Sequence, residues 1–233
     1  MVCNLIQNAF PLSETRFFLF KNKYISFHSY LCSMSINEKE LLAETIRQYN
    51  LKGWSPATAT NYSFQEEDGT IWVSRSGIDK SQFSANDFMT VDSNGNATGE
   101  FAHMKPSAET LIHCVIYTLF PETKVILHSH SIYPILISAV LGHQISFEGY
   151  EIQKGFDGQT THESYIDIPI FENTQDMQTF KAHLMEGANR IQQHAFIIRK
   201  HGTYAWGKNL FEAKRHLETL DYLCQCEWML KNA

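Results

Sequence analysis

Two short apolar runs, each ending in histidine, constrain this chain more than any other feature. Val125-Ile126-Leu127-His128-Ser129-His130 is a β-branched run closing on an H-x-H pair, and Phe196-Ile197-Ile198-Arg199-Lys200-His201-Gly202 repeats the layout. Side chains alternate along a strand, so the imidazoles of His128 and His130 at i and i+2 leave from one face. Three histidines at two strand ends can converge on one ion. Gly202, directly after His201, lets the backbone turn or a ligand approach closely.

The surrounding pattern supports one α/β domain with a single mixed, largely antiparallel sheet flanked by helices. Ser35-x-x-Glu38 reads as a capping box, and the spacing of Leu41, Leu42, Thr45, Ile46 and Tyr49 predicts a helix over 36–50 that Gly53 ends. Short alternating segments at Asn61–Phe64, Thr70–Ser74 and Phe88–Val91, punctuated by Asp68-Gly69, Ser76-Gly77 and Asn94-Gly95, predict antiparallel hairpin strands. Helices are expected over 108–119 behind Ser107, over 131–141, near 175–192, and from 209 to 230. Strands are expected at Ala195–Arg199 and Thr203–Trp206. Residues 1–33 precede this regular patterning and read as a flexible N-terminal extension, leaving 34–233 as one folded domain.

Composition removes several function classes. A formal net charge of −6, from 19 basic and 25 acidic residues, gives no electrostatic footprint for nucleic acid or an anionic membrane. Apolar stretches fall short of the roughly 18 residues that span a bilayer. Five cysteines, with Cys224-x-Cys226 lacking C-x-x-C spacing, read as reduced thiols of a cytoplasmic protein.

Structural zinc is closed by four ligands, usually including cysteine, whereas catalytic zinc keeps three protein ligands and an open position. No cysteine accompanies His128, His130 and His201. The set therefore predicts an open site acting as a Lewis acid on a carbonyl or hydroxyl oxygen. His113 and His216, within helix patterns, and His103, His143 and His162, near turns, read as structural or solvated. Proton transfer beside the metal needs a carboxylate, and Glu109 and Glu151 are the two candidates. Ser107 at a helix start, and the turns at Thr60-Asn61 and Ser76-Gly77, could present hydroxyl and N–H groups to a phosphate.

Leu127-His128-Ser129-His130, Lys105-Pro106-Ser107-Ala108-Glu109-Thr110 and His201-Gly202-Thr203-Tyr204-Ala205-Trp206-Gly207 together resemble the class II aldolase/adducin superfamily. Gly53-Trp54-Ser55-Pro56-Ala57-Thr58, Ser76-Gly77-x-x-Lys80, Tyr150-Glu151-Ile152-Gln153-Lys154, Ile168-Pro169-Ile170 and Glu212-Ala213-Lys214-Arg215-His216-Leu217-Glu218 narrow the likeness. They resemble the branch that dehydrates 5-methylthioribulose 1-phosphate in methionine salvage. The resemblance covers roughly residues 35–230.

It implies one Zn2+ per subunit at His128, His130 and His201, with Glu151 as the proton-transferring group. Glu109, at the aldolases' catalytic glutamate position, becomes the auxiliary carboxylate. It further implies a phosphate held by Asn61, Ser76, Gly77 and Ser107, a small phosphorylated ketose as substrate, and a homotetramer with sites at subunit interfaces. Where the superfamily often carries Ser-Gly-Asn in its first phosphate loop, this chain has Ala59-Thr60-Asn61. Two other functions fit the same family: a sugar-phosphate aldolase or epimerase using the same zinc, and a non-catalytic adducin-like interaction module.

Overall fold

The computed structural model describes residues 38–233; the expected capping box at Ser35 and the extension 1–33 lie outside the described residues. The described chain contains five α-helices: α1 Glu38–Leu51, α2 Thr110–Leu119, α3 Ile132–Val140, α4 Met177–Glu186 and α5 Leu210–Lys231. It also contains eight strands: β1 Tyr62–Gln65, β2 Ile71–Ser74, β3 Phe88–Val91, β4 Val125–Ser129, β5 Gln144–Phe147, β6 Ile166–Phe171, β7 Ala195–Ile198 and β8 Gly202–Gly207. They form one sheet in the order β3-β2-β1-β4-β8-β7-β6-β5. Every pairing is antiparallel except β6 with β7, which is parallel.

Both faces of the sheet are covered, which is why β7 and the Val125–Leu127 part of β4 are continuously apolar rather than alternating. Val125, Leu127, Ala195, Ile197 and Ala205 pack with Leu42 and Ile46 of α1, Ile137 of α3 and Leu217 and Leu220 of α5. The intervening residues Ile126, Phe196, Ile198, Tyr204 and Trp206 pack on the opposite face with Ile112 and Ile116 of α2 and Phe180 and Leu184 of α4. The period of two continues beyond Ile126, so His128 follows it onto the α2 side. There its ring stacks on Tyr204, its register partner in β8, at 4.1 Å between centroids and 14° between planes.

The strands β5 and β6 were not anticipated from sequence. β5 is four residues long, and β6 contains Pro169, which cannot donate to a ladder and masks a strand pattern. The helix expected near 175–192 stops at Glu186, and the Gly187 that follows packs under Phe171: a Cβ there would lie 2.7 Å from the ring. A 3-10 turn at Ala188–Arg190 follows it. The helix expected from 108 begins at Thr110 with Glu109 as its N-cap residue, and Ser107 Oγ accepts from the Glu109 N–H at 3.3 Å. No described helix is long and apolar enough to cross a membrane.

Candidate metal centre and phosphate cavity

The β4–β8 pairing brings the two histidine-bearing strand ends together. His128 is the penultimate residue of β4, His130 follows directly after the strand, and His201 immediately precedes β8. Their potential ligand nitrogens all lie within 4.8 Å of one another, and ring centroids are separated by 4.7 Å (His128–His130), 5.2 Å (His128–His201) and 4.8 Å (His130–His201). The fully buried His128 donates from Nδ1–H to the Thr203 carbonyl at 3.0 Å. That bond fixes the tautomer and turns the Nε2 lone pair toward the other two rings, the usual way a metal-ligating imidazole is oriented. His128 Nε2 stands 2.9 Å from His130 Nε2.

Local chemistry holds each ring in place. The N–H of His130 donates to the Trp54 carbonyl at 2.8 Å. His201 sits in the tight β7–β8 connection, where Lys200 adopts φ 54° and its N–H donates to Ser138 Oγ at 3.0 Å. The guanidinium of the neighbouring Arg199 caps the C-terminal end of α3 through the carbonyls of Ser138, Leu141 and Gly142. A Cβ on Gly202 would collide with the Ser129 carbonyl oxygen and come within 2.9 Å of the His130 ring and 3.0 Å of the His128 ring. The absent side chain therefore lets the three rings approach each other.

Burial, above all, pushes the His128 and His130 pKa values down, His128 well below its ordinary value and His130 to about 4. Both rings are thus neutral and able to coordinate at neutral pH. Three imidazoles without a thiolate, one with its second nitrogen committed to a carbonyl, fit a divalent metal site with a remaining open position.

Glu109 faces the same nitrogens. Its Oε1 lies 3.1 Å from His201 Nε2 and its Oε2 3.5 Å from His128 Nε2. Oε2 also accepts from Asn61 Nδ2 at 2.6 Å and from the Tyr204 hydroxyl at 3.2 Å. Burial raises the Glu109 pKa, but the His201 hydrogen bond, the adjoining imidazoles and the Asn61 amide outweigh it and hold the carboxyl well below the usual range.

Glu151 is elsewhere. It opens the 3-10 turn Glu151–Gly155, its side chain is 72% exposed, and it pairs with Lys154 at 2.5 Å and His162 at 3.4 Å. The Lys154 hydrogen bond is the largest influence keeping its pKa low. Glu151 does not stand beside the histidines of its own chain: among the described residues, the carboxylate that contacts them is Glu109. From spacing alone both read as helix-terminus carboxylates, and the ranking of Glu151 ahead of Glu109 comes from the resemblance; the fold decides which of them meets the rings of its own chain.

All four residues expected to hold phosphate do share one cavity. About 140 Å3 in volume, it is lined by Thr58, Thr60, Asn61, Ser76, Gly77 and Ser107 together with Arg75, Glu109 and His130. Its rim is conformationally specialised, with positive φ at Ala57, Thr58, Thr60 and Gly77. Thr60 takes φ 76° where the superfamily often has glycine, and its hydroxyl joins a three-hydroxyl cluster with Ser55 Oγ (3.0 Å) and the Tyr62 hydroxyl (3.1 Å). The buried Lys80 amine ties the two rims together, donating to the carbonyls of Thr58 (3.3 Å) and Ile78 (3.0 Å). The Asn61 amide is spent on Glu109 and on His113, so this side chain orients a carboxylate rather than facing an anion. Arg75 was missed by the sequence reading, although a cation directly before Ser76-Gly77 was the available signal.

The sequence matches the class II aldolase and adducin N-terminal domain over residues 40–228. It is 48% identical over 192 residues to the methylthioribulose-1-phosphate dehydratase of Picosynechococcus sp., spanning 82% of this chain and 91% of that protein. Identity to the methylthioribulose-1-phosphate dehydratase of Xanthomonas campestris pv. campestris is 40% over 190 residues, spanning 81% and 87%. Among solved structures, the L-fuculose-1-phosphate aldolase of Thermus thermophilus superposes with a TM-score of 0.64 at 20% identity, over 82% of this chain and 95% of that one. A sugar-phosphate aldolase from Thermotoga maritima gives 0.57 at 16% identity, over 84% and 95%. At these identities the two solved structures establish a shared fold.

Proposed function

The chain belongs to the class II aldolase and adducin family, and from that premise we propose that it is a cytoplasmic enzyme removing water from 5-methylthioribulose 1-phosphate. The product is 5-methylthio-2,3-dioxopentyl phosphate, in methionine salvage. The observation that carries this reading is that Glu109, which contacts His128 and His201, lines together with His130 a cavity whose other walls are the 58–61 and 74–77 turns. Its specificity within the family rests on relatives at 40–48% identity that carry the dehydratase name.

Zinc held by His128, His130 and His201 would supply Lewis acidity to the carbonyl and adjacent hydroxyl oxygens of the ketose. The chain's own groups bind, orient and move protons. Ser76, Gly77 and Ser107, with Arg75 beside them, would seat the phosphate, and Asn61 would serve that end of the site by pinning Glu109. A cavity of about 140 Å3 is small beside the roughly 300–1,000 Å3 of ordinary small-molecule pockets. It suits one end of the substrate, with the remainder covered from outside.

Dehydration requires a base for the C3 proton and an acid for the hydroxyl leaving C4. We assign both to Glu151, exposed and ionised, delivered to the histidine cluster of a neighbouring copy within a homotetramer. Glu109, ionised and half-buried against the imidazoles, is the auxiliary carboxylate that orients the reacting hydroxyl groups.

The test is direct. Zinc-loaded protein given 5-methylthioribulose 1-phosphate should form the 2,3-diketone phosphate, and chelator-treated protein should not until zinc is restored. Cleavage of a carbon–carbon bond, or an unconsumed substrate with a fully loaded metal site, would sink the reading.

A further inference from the structure

Glu109, His113 and Tyr117 follow one another at i, i+4 and i+8, so successive turns of α2 stack them on one face. The metal and cavity account uses only the first. His113 is 1% exposed, and neither it nor Tyr117 lines the phosphate cavity, yet their polar atoms belong to one unbroken series. Tyr117 Oη lies 2.8 Å from Ser63 Oγ, and Ser63 Oγ lies 2.7 Å from His113 Nδ1. His113 Nε2 meets Asn61 Oδ1 in a short contact, and Asn61 Nδ2 donates to Glu109 Oε2 at 2.6 Å.

The direction of every bond in this series follows from its carboxylate end. Ionised Glu109 can only accept, so Asn61 must present its NH2 to it and its carbonyl oxygen to His113. That oxygen can only accept as well, so His113 must carry its proton on Nε2. A neutral imidazole has one N–H; Nδ1 is then an acceptor, filled by the Ser63 hydroxyl, which in turn accepts from Tyr117. With the other tautomer, two lone pairs would face each other at Asn61. Flipping the amide would only move that clash onto Glu109 Oε2.

We propose that His113 is a positioning residue for Glu109, resting on the dehydratase reading above: its Nε2–H fixes the Asn61 amide, which pins Glu109 Oε2 and leaves Oε1 facing His201. Burial pushes the His113 pKa down to about 3, in keeping with a ring that carries a single proton. Tyr204 completes the arrangement. Its hydroxyl donates to the same Oε2 at 3.2 Å, and its ring packs edge-on against His113 at 5.5 Å and face-on against His128. A network with every member satisfied holds a single geometry, whereas a partly satisfied one relaxes.

The experiment has two arms. In the first, the zinc-loaded protein with 15N-labelled histidine is examined by NMR at neutral pH without substrate. His113 should be the Nε2–H tautomer, and an Nδ1–H tautomer overturns the proposal whatever the enzyme turns over. In the second, H113F and H113Q are compared at equal zinc content. Phe fills the site without a donor, while the Gln carboxamide can place an N–H near Asn61 Oδ1. H113F should lower kcat by about tenfold or more with KM within about twofold, and H113Q should recover most of the loss, since small displacements of catalytic groups carry penalties of this size. A wild-type kcat in H113F, or no recovery in H113Q, overturns the proposal; a purely structural role would lower stability in both variants without splitting kcat from KM. Should H113F not fold, H113Q against wild type and the tautomer measurement decide. A wild-type protein that leaves the substrate untouched refutes the dehydratase reading alone, because the first arm needs no turnover.

Discussion

Glu109 Oε1 stands 3.1 Å from His201 Nε2, so a half-buried carboxylate at the start of α2 and the histidine that leads into β8 share one small space. Glu151, by contrast, is exposed and paired with Lys154. The two carboxylates should therefore fail differently when neutralised. Glu151→Gln should leave zinc stoichiometry intact while lowering kcat by about 10²-fold or more, the scale of general acid–base catalysis. Glu109→Gln should also alter zinc affinity, because it removes a negative charge beside the imidazoles. Near-wild-type turnover in Glu151→Gln with abolished turnover in Glu109→Gln would make Glu109 the proton shuttle.

Acid should destabilise the metal-free protein over a defined window. His113 and His130 have folded pKa values of about 3 and about 4, and that of His128 is also depressed, against an unfolded value of 6.5. Below pH 6.5 the unfolded chain takes up protons that the folded chain refuses, so stability falls as pH drops. Glu109 adds a loss of the same sign below about 4.5, where its unfolded carboxyl is protonated but its folded one is not. Urea midpoints of metal-free protein should correspond to a loss of about 1.4 kcal/mol per pH unit for His113 between roughly pH 6 and 4, with a further loss of the same sign from His128. A flat profile would contradict neutral buried rings.

Gly202→Ala should damage the metal site more than the fold. Its methyl group must displace the Ser129 carbonyl and the rings of His128 and His130. A stability cost of about 1–3 kcal/mol is the usual range for such overpacking. Zinc content after equilibration at limiting metal is the measurement, and wild-type occupancy would show that the rings can give way.

Deleting residues 1–33 should leave zinc content and turnover unchanged, since the family match begins at residue 40 and the relatives align over about four fifths of the chain. Loss of either in the shortened protein would assign that segment a part in the domain.

The sequence made the strand ends legible because a strand buried on both faces is a short apolar run, and a polar residue at its end stands out. That is how His128, His130 and His201 were found. The same logic failed for β6, where Pro169 breaks the pattern, and for the helix ending at Glu186, where the Gly187 that follows packs under Phe171. Glu109 and Glu151 could not be ranked from spacing, since what separates them is a contact across the sheet with residues 19 to 92 positions away from Glu109. His113 read as an ordinary helix histidine. Its partners Ser63 and Asn61 lie on β1 and the segment before it, and only the folded chain reveals them.

The antiparallel register that places His128 opposite Tyr204 and Ser129 opposite Thr203 has a consequence for any preparation of this protein. A slip of one residue between β4 and β8 would turn His128 onto the opposite face while preserving helix content and most buried apolar area. Circular dichroism would barely distinguish such a species from the native one, but it could not gather three imidazoles. With the proposed metal site, the fraction of refolded chains that retain a divalent metal through gel filtration would be an assay of strand alignment, since bound metal would withdraw correctly registered molecules from the refolding pool.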